Sequence, residues 1–373
     1  VISPLVEQLA GSLKAALRAI GDHDRIVFLD YPDHLNGGDH FIFLGSIYYL
    51  SEVRGIQIGY LSSLVNFDPT AMVRSLEGAA NPAIVLQGGG NLGDLWPDSQ
   101  LFRERIIEMY PHLPIYILPQ SIYFQSNEAT LRAQKIFGAH SNLTIFAREQ
   151  ESYKIGHSLF ANNKVLLCSD MAFFLGLAGL PSPGSATEHG GRSLYLCRKD
   201  KELDPGFKDT AQTLRMLEVE NWFSYDWYYN GRGAINIHRA TPWNIPGALG
   251  LYREVWQRRM GNRALWQSRH QWTRSCSLAK LLGDDVLGKS MKFSMSVSGD
   301  CLFQLARTAV LATNHLHGHI GAALMGIPSV LTANTYHKNR SFHETWMANQ
   351  SEYLFAARPE DLGKQISRIN RQK

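Results

Sequence analysis

Short β-branched and aliphatic runs, RIVFLDY, IQIGYLS, PAIVLQ, PIYILPQS, LTIFARE and KVLLCSD, recur through the first half of the chain with helix-period segments between them. That rhythm is the signature of a parallel sheet whose strands are joined by crossover helices. After Asp170 it loosens into GLAGLPSPGSATEHGGR, rich in Gly, Pro and Ser, and a new strand, SLYLCRK, begins. The domain boundary is placed there. The alternation resumes with GAINIHR, AVLATN, IPSVLT and EYLFAA and closes on a helix led by PEDLGKQISRI. A length of 373 residues at 45% hydrophobic and 19% charged can bury two cores. The expected fold is α/β: two Rossmann-like domains, 1–185 and 186–373, facing each other across a cleft.

Composition removes several classes. A net charge of +4 with a pI near 8.8 suits an anionic substrate or a membrane surface and does not demand nucleic acid. Cys168, Cys197, Cys276 and Cys301 form no close pair, so neither a zinc knuckle nor a disulfide framework is suggested, and a reducing cytosol fits best. No apolar run reaches the length of a membrane span. The opening VISPLVEQLAGSLKAALRAIG is interrupted by Glu7, Lys14 and Arg18 and reads as an amphipathic helix.

In parallel α/β sheets ligands bind outside the carboxyl ends of the strands, so the residues at those ends matter most. RIVFLDY is followed by Asn36, Gly37, Gly38 and Asp39; PAIVLQ by Gly88, Gly89, Gly90, Asn91 and Asp94. Glycines there allow backbone N–H groups to approach a ligand, although the spacing is neither a Walker motif nor a dinucleotide fingerprint, and a tight turn is an equal alternative. Gln120 and Ser121 end the next strand, then Arg148 and Ser152, then Ser169 and Asp170. Each of these, taken singly, also reads as a cap or a buried hydrogen-bond partner.

The stretch LATNHLHGHIGAALMGIPSV sets His315, His317 and His319 at alternate positions between a strand and a helix. A helix N-terminus attracts anions, and imidazoles around it add donors that can move a proton. Gly318 is expected to leave His317 room to point outward. Packing or capping is the alternative for His315 and His319. A metal site would need a carboxylate cluster at matching spacing, and none is present, so no metal is expected.

With these pieces in order the chain resembles the polysaccharide pyruvyl transferase family, particularly the enzymes of bacterial exopolysaccharide operons. The resemblance rests on DYPDHLNGGDHFIFLGS, GGGNLGDLW, LPQSIYF, AREQESY, SDMAFFL and TNHLHGHIGAALMGIPSVLTANTYHKNRSF, and runs nearly end to end. It implies an architecture similar to the GT-B glycosyltransferases, phosphoenolpyruvate as donor, a glycan sugar as acceptor and a cyclic pyruvate ketal as product. No cofactor beyond the donor substrate is implied. The family's Arg-Leu-His element falls on His315, Leu316 and His317, its arginine after the first strand of the second domain on Arg198, and its downstream lysine on Lys338. His317 is then the expected acid, Arg198 and Lys338 the anion clamps, and Asp39 or Asp94 the base or acceptor-orienting group. Asn36, Gly89, Gly90, Asn91, Gln120, Ser121, Arg148, His315, Leu316 and His319 are the expected substrate contacts. Arg198 also reads as a surface member of the RKDKE charge run. His315 departs from the family by replacing an arginine, with loss of a fixed charge and a bidentate fork.

The segment 221–274 clusters aromatics in NWFSYDWYYNGR and interleaves Trp256, Trp266 and Trp272 with arginines. Stacking on acceptor sugars, peripheral association with an anionic membrane beside a lipid-linked glycan, and ordinary Trp packing with solvated arginines all fit it. Two other functions compete with pyruvyl transfer: a GT-B-type glycosyltransferase using a nucleotide sugar, and a non-catalytic glycan-assembly protein. Cytoplasmic placement, at the inner face of the plasma membrane, follows from the first reading. No nucleic acid partner is expected.

Overall fold

The computed structural model describes residues 2–180, 192–207, 217–222 and 263–371. The expected boundary at 185/186, the GAINIHR strand and most of the aromatic-basic segment, including Trp256, lie outside them. The chain divides into two compact units, one of Glu7–Tyr31 and Gly45–Phe174, the other of Val1–Val6, Pro32–Leu44 and Leu175–Lys373. The NGGD turn thus belongs with the second half of the sequence, although the strand before it does not.

The first unit holds a seven-stranded sheet in the order β2-β1-β3-β5-β6-β7, with β4 paired to β5. Its strands are β1 (Arg25–Leu29), β2 (Gln57–Ser62), β3 (Pro82–Leu86), β4 (Gly89–Gly93), β5 (Ile115–Tyr123), β6 (Leu143–Ala147) and β7 (Lys164–Leu167). Every pairing is parallel. β3 and β6 are almost wholly buried, which is why the sequence shows continuous apolar runs instead of alternation. The helices Pro69–Ser75, Asn127–Ala139 and Gln150–Leu159 begin on side-chain caps from Asp68, Ser126 and Glu149. Leu5, Val6, Leu9, Ala10 and Leu13 of the opening helix Pro4–Ala16 are buried, while Glu7 and Lys14 are exposed. Its amphipathic pattern serves the protein's own core.

The second unit holds a five-stranded parallel sheet in the order β12-β11-β10-β8-β9. These strands are β8 (Arg192–Leu196), β9 (Glu218–Glu220), β10 (Thr308–Thr313), β11 (Ser329–Thr332) and β12 (Tyr353–Ala356). Tyr195, Val310, Ala312, Val330 and Leu354 pack with Leu362, Ile366 and Ile369 of the helix Pro359–Asn370 on one face. The sequence did not foreshadow β4 or β9. β4 is glycine-rich, and β9 is only three residues long, too short to carry a hydrophobic pattern.

Two further sequence expectations are settled here. All four cysteines are free and buried. Trp272 is 1% exposed and donates from Nε1 to the Gly179 carbonyl at 2.8 Å, a packing role. Among the described residues no helix is long and apolar enough to cross a membrane.

Candidate functional site

In the five-stranded unit three neighbouring strands, β8, β10 and β11, deliver Arg198, His315 and Lys338 to their carboxyl ends. Two asparagines tie these ends together. Asn314 Oδ1 accepts from the Arg198 N–H at 2.8 Å, while Asn339 Nδ2 donates to the carbonyls of Asn314 and Thr332 at 3.0 and 2.9 Å. Arg198 and Lys338 are 6% and 5% exposed, so neither is the solvated surface charge that the RKDKE run would allow.

Arg198 gives its Nε/Nη2 fork to the Asp200 carboxylate at 2.7 and 2.8 Å and its Nη1 to Glu202 Oε2 at 2.5 Å. The Lys338 ammonium bonds to the same Glu202 oxygen and lies 5.2 Å from the Tyr336 ring centroid. Burial alone would weaken Arg198 as a base, but Glu202 and Asp200 outweigh it and hold the guanidinium more firmly protonated than usual.

His315 is the N-cap of the helix Leu316–Leu324, with its N–H donating to Thr313 Oγ1 at 3.0 Å. Burial, and then the charge of Arg198, push its pKa well below the usual histidine value; Glu202 opposes and Lys338 adds to the lowering. The imidazole is therefore neutral. Its Nε2 is buried without a hydrogen-bond partner, and its ring lies 5.7 Å from Trp222, whose Nε1 is likewise buried and unpartnered. Leu316 is buried as the first residue of the helix.

His317 packs on the NGGD turn. A Cβ placed on Gly38 would lie 2.4 Å from His317 Nδ1 and 2.7 Å from its Cβ. One placed on Gly37 would lie 2.3 Å from Cys301 Sγ. These two glycines supply clearance for side chains. The missing side chain of Gly318 makes room for Thr313 Oγ1 at 2.9 Å and Leu196 at 3.1 Å. It lets the helix sit close on β8 and β10. The turn itself is held by Asn36, which donates from Nδ2 to Asp39 Oδ2 at 2.8 Å and accepts the Gly38 N–H at 3.2 Å. His40 anchors it from behind, with Nδ1 on Ser294 Oγ at 2.9 Å and Nε2 on the His34 carbonyl at 2.6 Å.

His319 is not part of this group. It is fully buried, shares a hydrogen bond with Ser329 Oγ at 2.9 Å, and lies against His343 and Tyr353. Burial, with His343 adding, lowers its pKa to about 3, the mark of a core histidine kept neutral.

The other expected contacts lie in the seven-stranded unit. GGGNLG does not form an open cradle: Gly89–Gly93 is extended as β4 beside β5, with Gly89 at φ 139° and Gly93 at φ 132°. A Cβ on Gly93 would fall 1.8 Å from the Tyr123 carbonyl oxygen, so glycine is required by the close strand contact. Gly90 lies in the same strand. Gln120 donates to Asn91 Oδ1 and the Gln87 carbonyl at 2.9 Å each, and Asn91 Oδ1 also accepts from Arg103 at 2.8 Å. Asp94 accepts the N–H groups of Gln125 and Ser126 at 2.8 and 2.6 Å and so fixes the loop after β5. Arg148 pairs with Asp170 at 2.9 Å and donates to Ser121 Oγ at 2.9 Å, with both charges buried. Ser152 Oγ takes the Ile122 N–H at 2.7 Å, and Ser169 Oγ donates to the Leu9 carbonyl at 2.9 Å.

Sequence reasoning did not single out Glu202, Arg103 or Asp30, and it held Trp222 only as one aromatic of NWFSYDWYYNGR. Arg103 is 1% exposed, with burial lowering its pKa to about 10 against the opposing charges of Asp30 and Glu104. Asp30 stands directly after β1 with φ 63°. The available signals were a lone arginine in a helical pattern and an acid inside a charge run, and neither distinguishes a buried group from a solvated one.

The sequence matches the family model described as polysaccharide pyruvyl transferase over residues 8–233. It is similar to the "Putative pyruvyl transferase EpsO" of Bacillus subtilis (strain 168), with 30% identity over 91% of this chain and 90% of that protein. Pyruvyl transferase 1 of Schizosaccharomyces pombe is 25% identical over 87% of this chain and 70% of its own length. A solved structure of a functionally uncharacterized Klebsiella pneumoniae protein aligns with a TM-score of 0.52 at 15% identity, covering 94% of this chain and 98% of that one. That last likeness concerns the fold alone.

Proposed function

Because the chain belongs to the polysaccharide pyruvyl transferase family, we propose that it transfers a pyruvyl group from phosphoenolpyruvate to a sugar of an exopolysaccharide or cell-surface glycan, forming a ketal and releasing phosphate. The observation that carries the donor assignment is the buried Arg198–Lys338 pair beside the unpartnered Nε2 of His315. Phosphoenolpyruvate carries a carboxylate and a phosphate, and two desolvated cations with an additional nitrogen match that pair of acidic groups.

In this reading His317 protonates the enol methylene, which makes the central carbon electrophilic. One sugar hydroxyl adds there and loses its proton, the C–O bond to phosphate breaks, and a second hydroxyl closes the ring with loss of its own proton. Asp39 is the preferred base because the Asn36–Asp39 turn touches His317 through Gly38. Asp94 accepts two backbone N–H groups of the loop after β5 and is the alternative candidate. The acceptor is assigned to the seven-stranded unit, and a lipid-linked glycan reached by peripheral membrane association belongs to the same proposal. No resident cofactor is called for, since the donor itself brings the activated carbon.

The test is phosphate release from phosphoenolpyruvate that requires an added oligosaccharide, with the ketal carbon identified by NMR in the product. Consumption of a nucleotide sugar in place of phosphoenolpyruvate would replace this reading with a glycosyltransferase.

A further inference from the structure

The group that faces Arg198 and Lys338 in the structure is a side chain of the protein itself. Glu202 is 3% exposed, and its Oε2 takes both Arg198 Nη1 and Lys338 Nζ. It is not a stray surface acid. Its N–H donates to Asp200 Oδ1 at 3.0 Å and its carbonyl accepts from the Thr335 N–H at 3.3 Å, which ties it to the segment that leads into Lys338. Among the described residues, Asp200 lies on the other edge of Arg198, so that Arg198 and Lys338 face two carboxylates. The cations that recommend this place as an anion site thus already hold anionic partners from the protein itself. Burying a carboxylate is unfavourable unless cations compensate it, and here two share that task.

The geometry points to Glu202 as an internal counter-anion, which occupies the Arg198–Lys338 pair until the donor arrives and thereby sets the charge a ligand must carry. This rests on the assignment of that pair to the donor's acidic groups. A ligand with a single carboxylate only replaces the interaction already present, so it gains little. One with a carboxylate and a phosphate brings more charge than Glu202 gives up. Glu202 is in this sense a specificity-determining residue, and its effect on affinity has the sign opposite to that of a supporting strut. Removing a strut weakens binding, whereas removing a competitor strengthens it.

The experiment is calorimetric titration of wild type and Glu202→Gln with phosphoenolpyruvate, inorganic phosphate and pyruvate, without glycan. Glutamine preserves shape and removes the charge. The expected result is at least tenfold tighter binding of phosphoenolpyruvate and phosphate, with measurable pyruvate binding, so that the preference for the doubly acidic ligand shrinks. Equal or weaker binding by a folded Glu202→Gln overturns the inference. Should that variant not fold, Glu202→Asp keeps the charge on an arm one methylene shorter, which must release one of the two cations. Tighter binding, by a smaller factor, is then expected, and weaker binding again refutes the idea. If phosphoenolpyruvate binds neither protein while phosphate affinity rises in the variant, the donor assignment fails and the counter-anion stands. If wild type turns over phosphoenolpyruvate and the variant binds it no more tightly, the donor assignment stands and the counter-anion fails.

Discussion

Mild acid should unfold the five-stranded unit before the carboxylates of the protein titrate. His40 and His319 are held neutral by burial, each with its pKa lowered to about 3; for His40 the bond to the His34 carbonyl opposes the shift, and for His319 the neighbouring His343 adds to it. Burial lowers His343 to about 4. All three belong to the unit that contains the cation pair. In the unfolded chain each would titrate near the usual ~6.5, so as pH falls through that value the unfolded state gains protons that the native state refuses. Stability is present above ~6.5 and lost below it. Each histidine contributes a slope that approaches ~1.4 kcal/mol per pH unit, and together the three remove about 7 kcal/mol between pH ~6.5 and ~4.5. That is comparable with the whole stability of a typical domain, ~5–15 kcal/mol. His315, whose pKa is also depressed, steepens the loss.

The assay is a series of urea denaturations at half-unit steps from pH 7 to 4.5, read alongside hydrogen exchange to locate the opening. Protection should fall first in β8, β10, β11 and β12, while β1, β3 and β5 hold. The lowered carboxylates, Asp24, Glu220, Asp284 and Asp361, act below this window and cannot imitate the effect. His40→Gln should reduce the slope by one proton whatever it costs at neutral pH. A stability that is flat from pH 6.5 to 4.5, or a loss confined to the seven-stranded unit, refutes the reasoning.

Replacement of His317 by alanine should lower turnover by ~10²- to 10⁴-fold while the protein still folds, and retention of more than about a tenth of the rate removes it as the acid. Gly38→Ala forces a Cβ onto the His317 side chain and should cost ~1–3 kcal/mol in chemical denaturation; combined with His317→Ala the penalty should shrink without vanishing, since the ring is gone while the Cβ at 2.7 Å remains. Donor affinity should fall as pH rises through the pKa that His315 acquires beside a bound phosphate, and His315→Arg should flatten that dependence. Parallel titrations separate this from the donor's own ionisation, which is common to both proteins, and identical profiles would show that His315 does not hold the phosphate.

The parallel sheets were legible because strands covered on both faces leave continuous apolar runs, as in IVFL and TIFA. Arg198, His315 and Lys338 were expected at one place only through the family resemblance, and they lie after the neighbouring strands β8, β10 and β11. The glycines were legible as close contacts but not by partner: Gly38 clears His317, Gly93 clears a neighbouring strand, and Gly318 clears the sheet. A one-dimensional pattern records that a side chain is missing, not what fills the space. The same limit applies to Arg148 and His319, which stand at promising positions yet bond within the core, Arg148 to Asp170 and Ser121 and His319 Nδ1 to Ser329. Glu202 was invisible for the converse reason, since acids beside basic residues usually mark solvated surface.

His315, which falls where the family resemblance implies an arginine, acquires a physical meaning from these neighbours. A guanidinium at position 315 would set a third permanent cation beside Arg198 and Lys338 in a buried place, where Glu202 already serves two. Two like charges ~5 Å apart repel by about 3 kcal/mol at an effective dielectric of ~20, and the penalty would persist for as long as the site is empty. A neutral imidazole avoids it, and it can still take a proton when a dianion arrives to share the field. Among the described residues Arg198 and Lys338 then face Glu202 and Asp200, and on the proposed function the positive charge would increase only when an anion is bound. Fixed charge at 315 would hold the donor at any pH; conditional charge ties the grip to the proton supply. On the proposed function that same coupling would place a proton beside the phosphate, which takes up negative charge as its bond to carbon breaks.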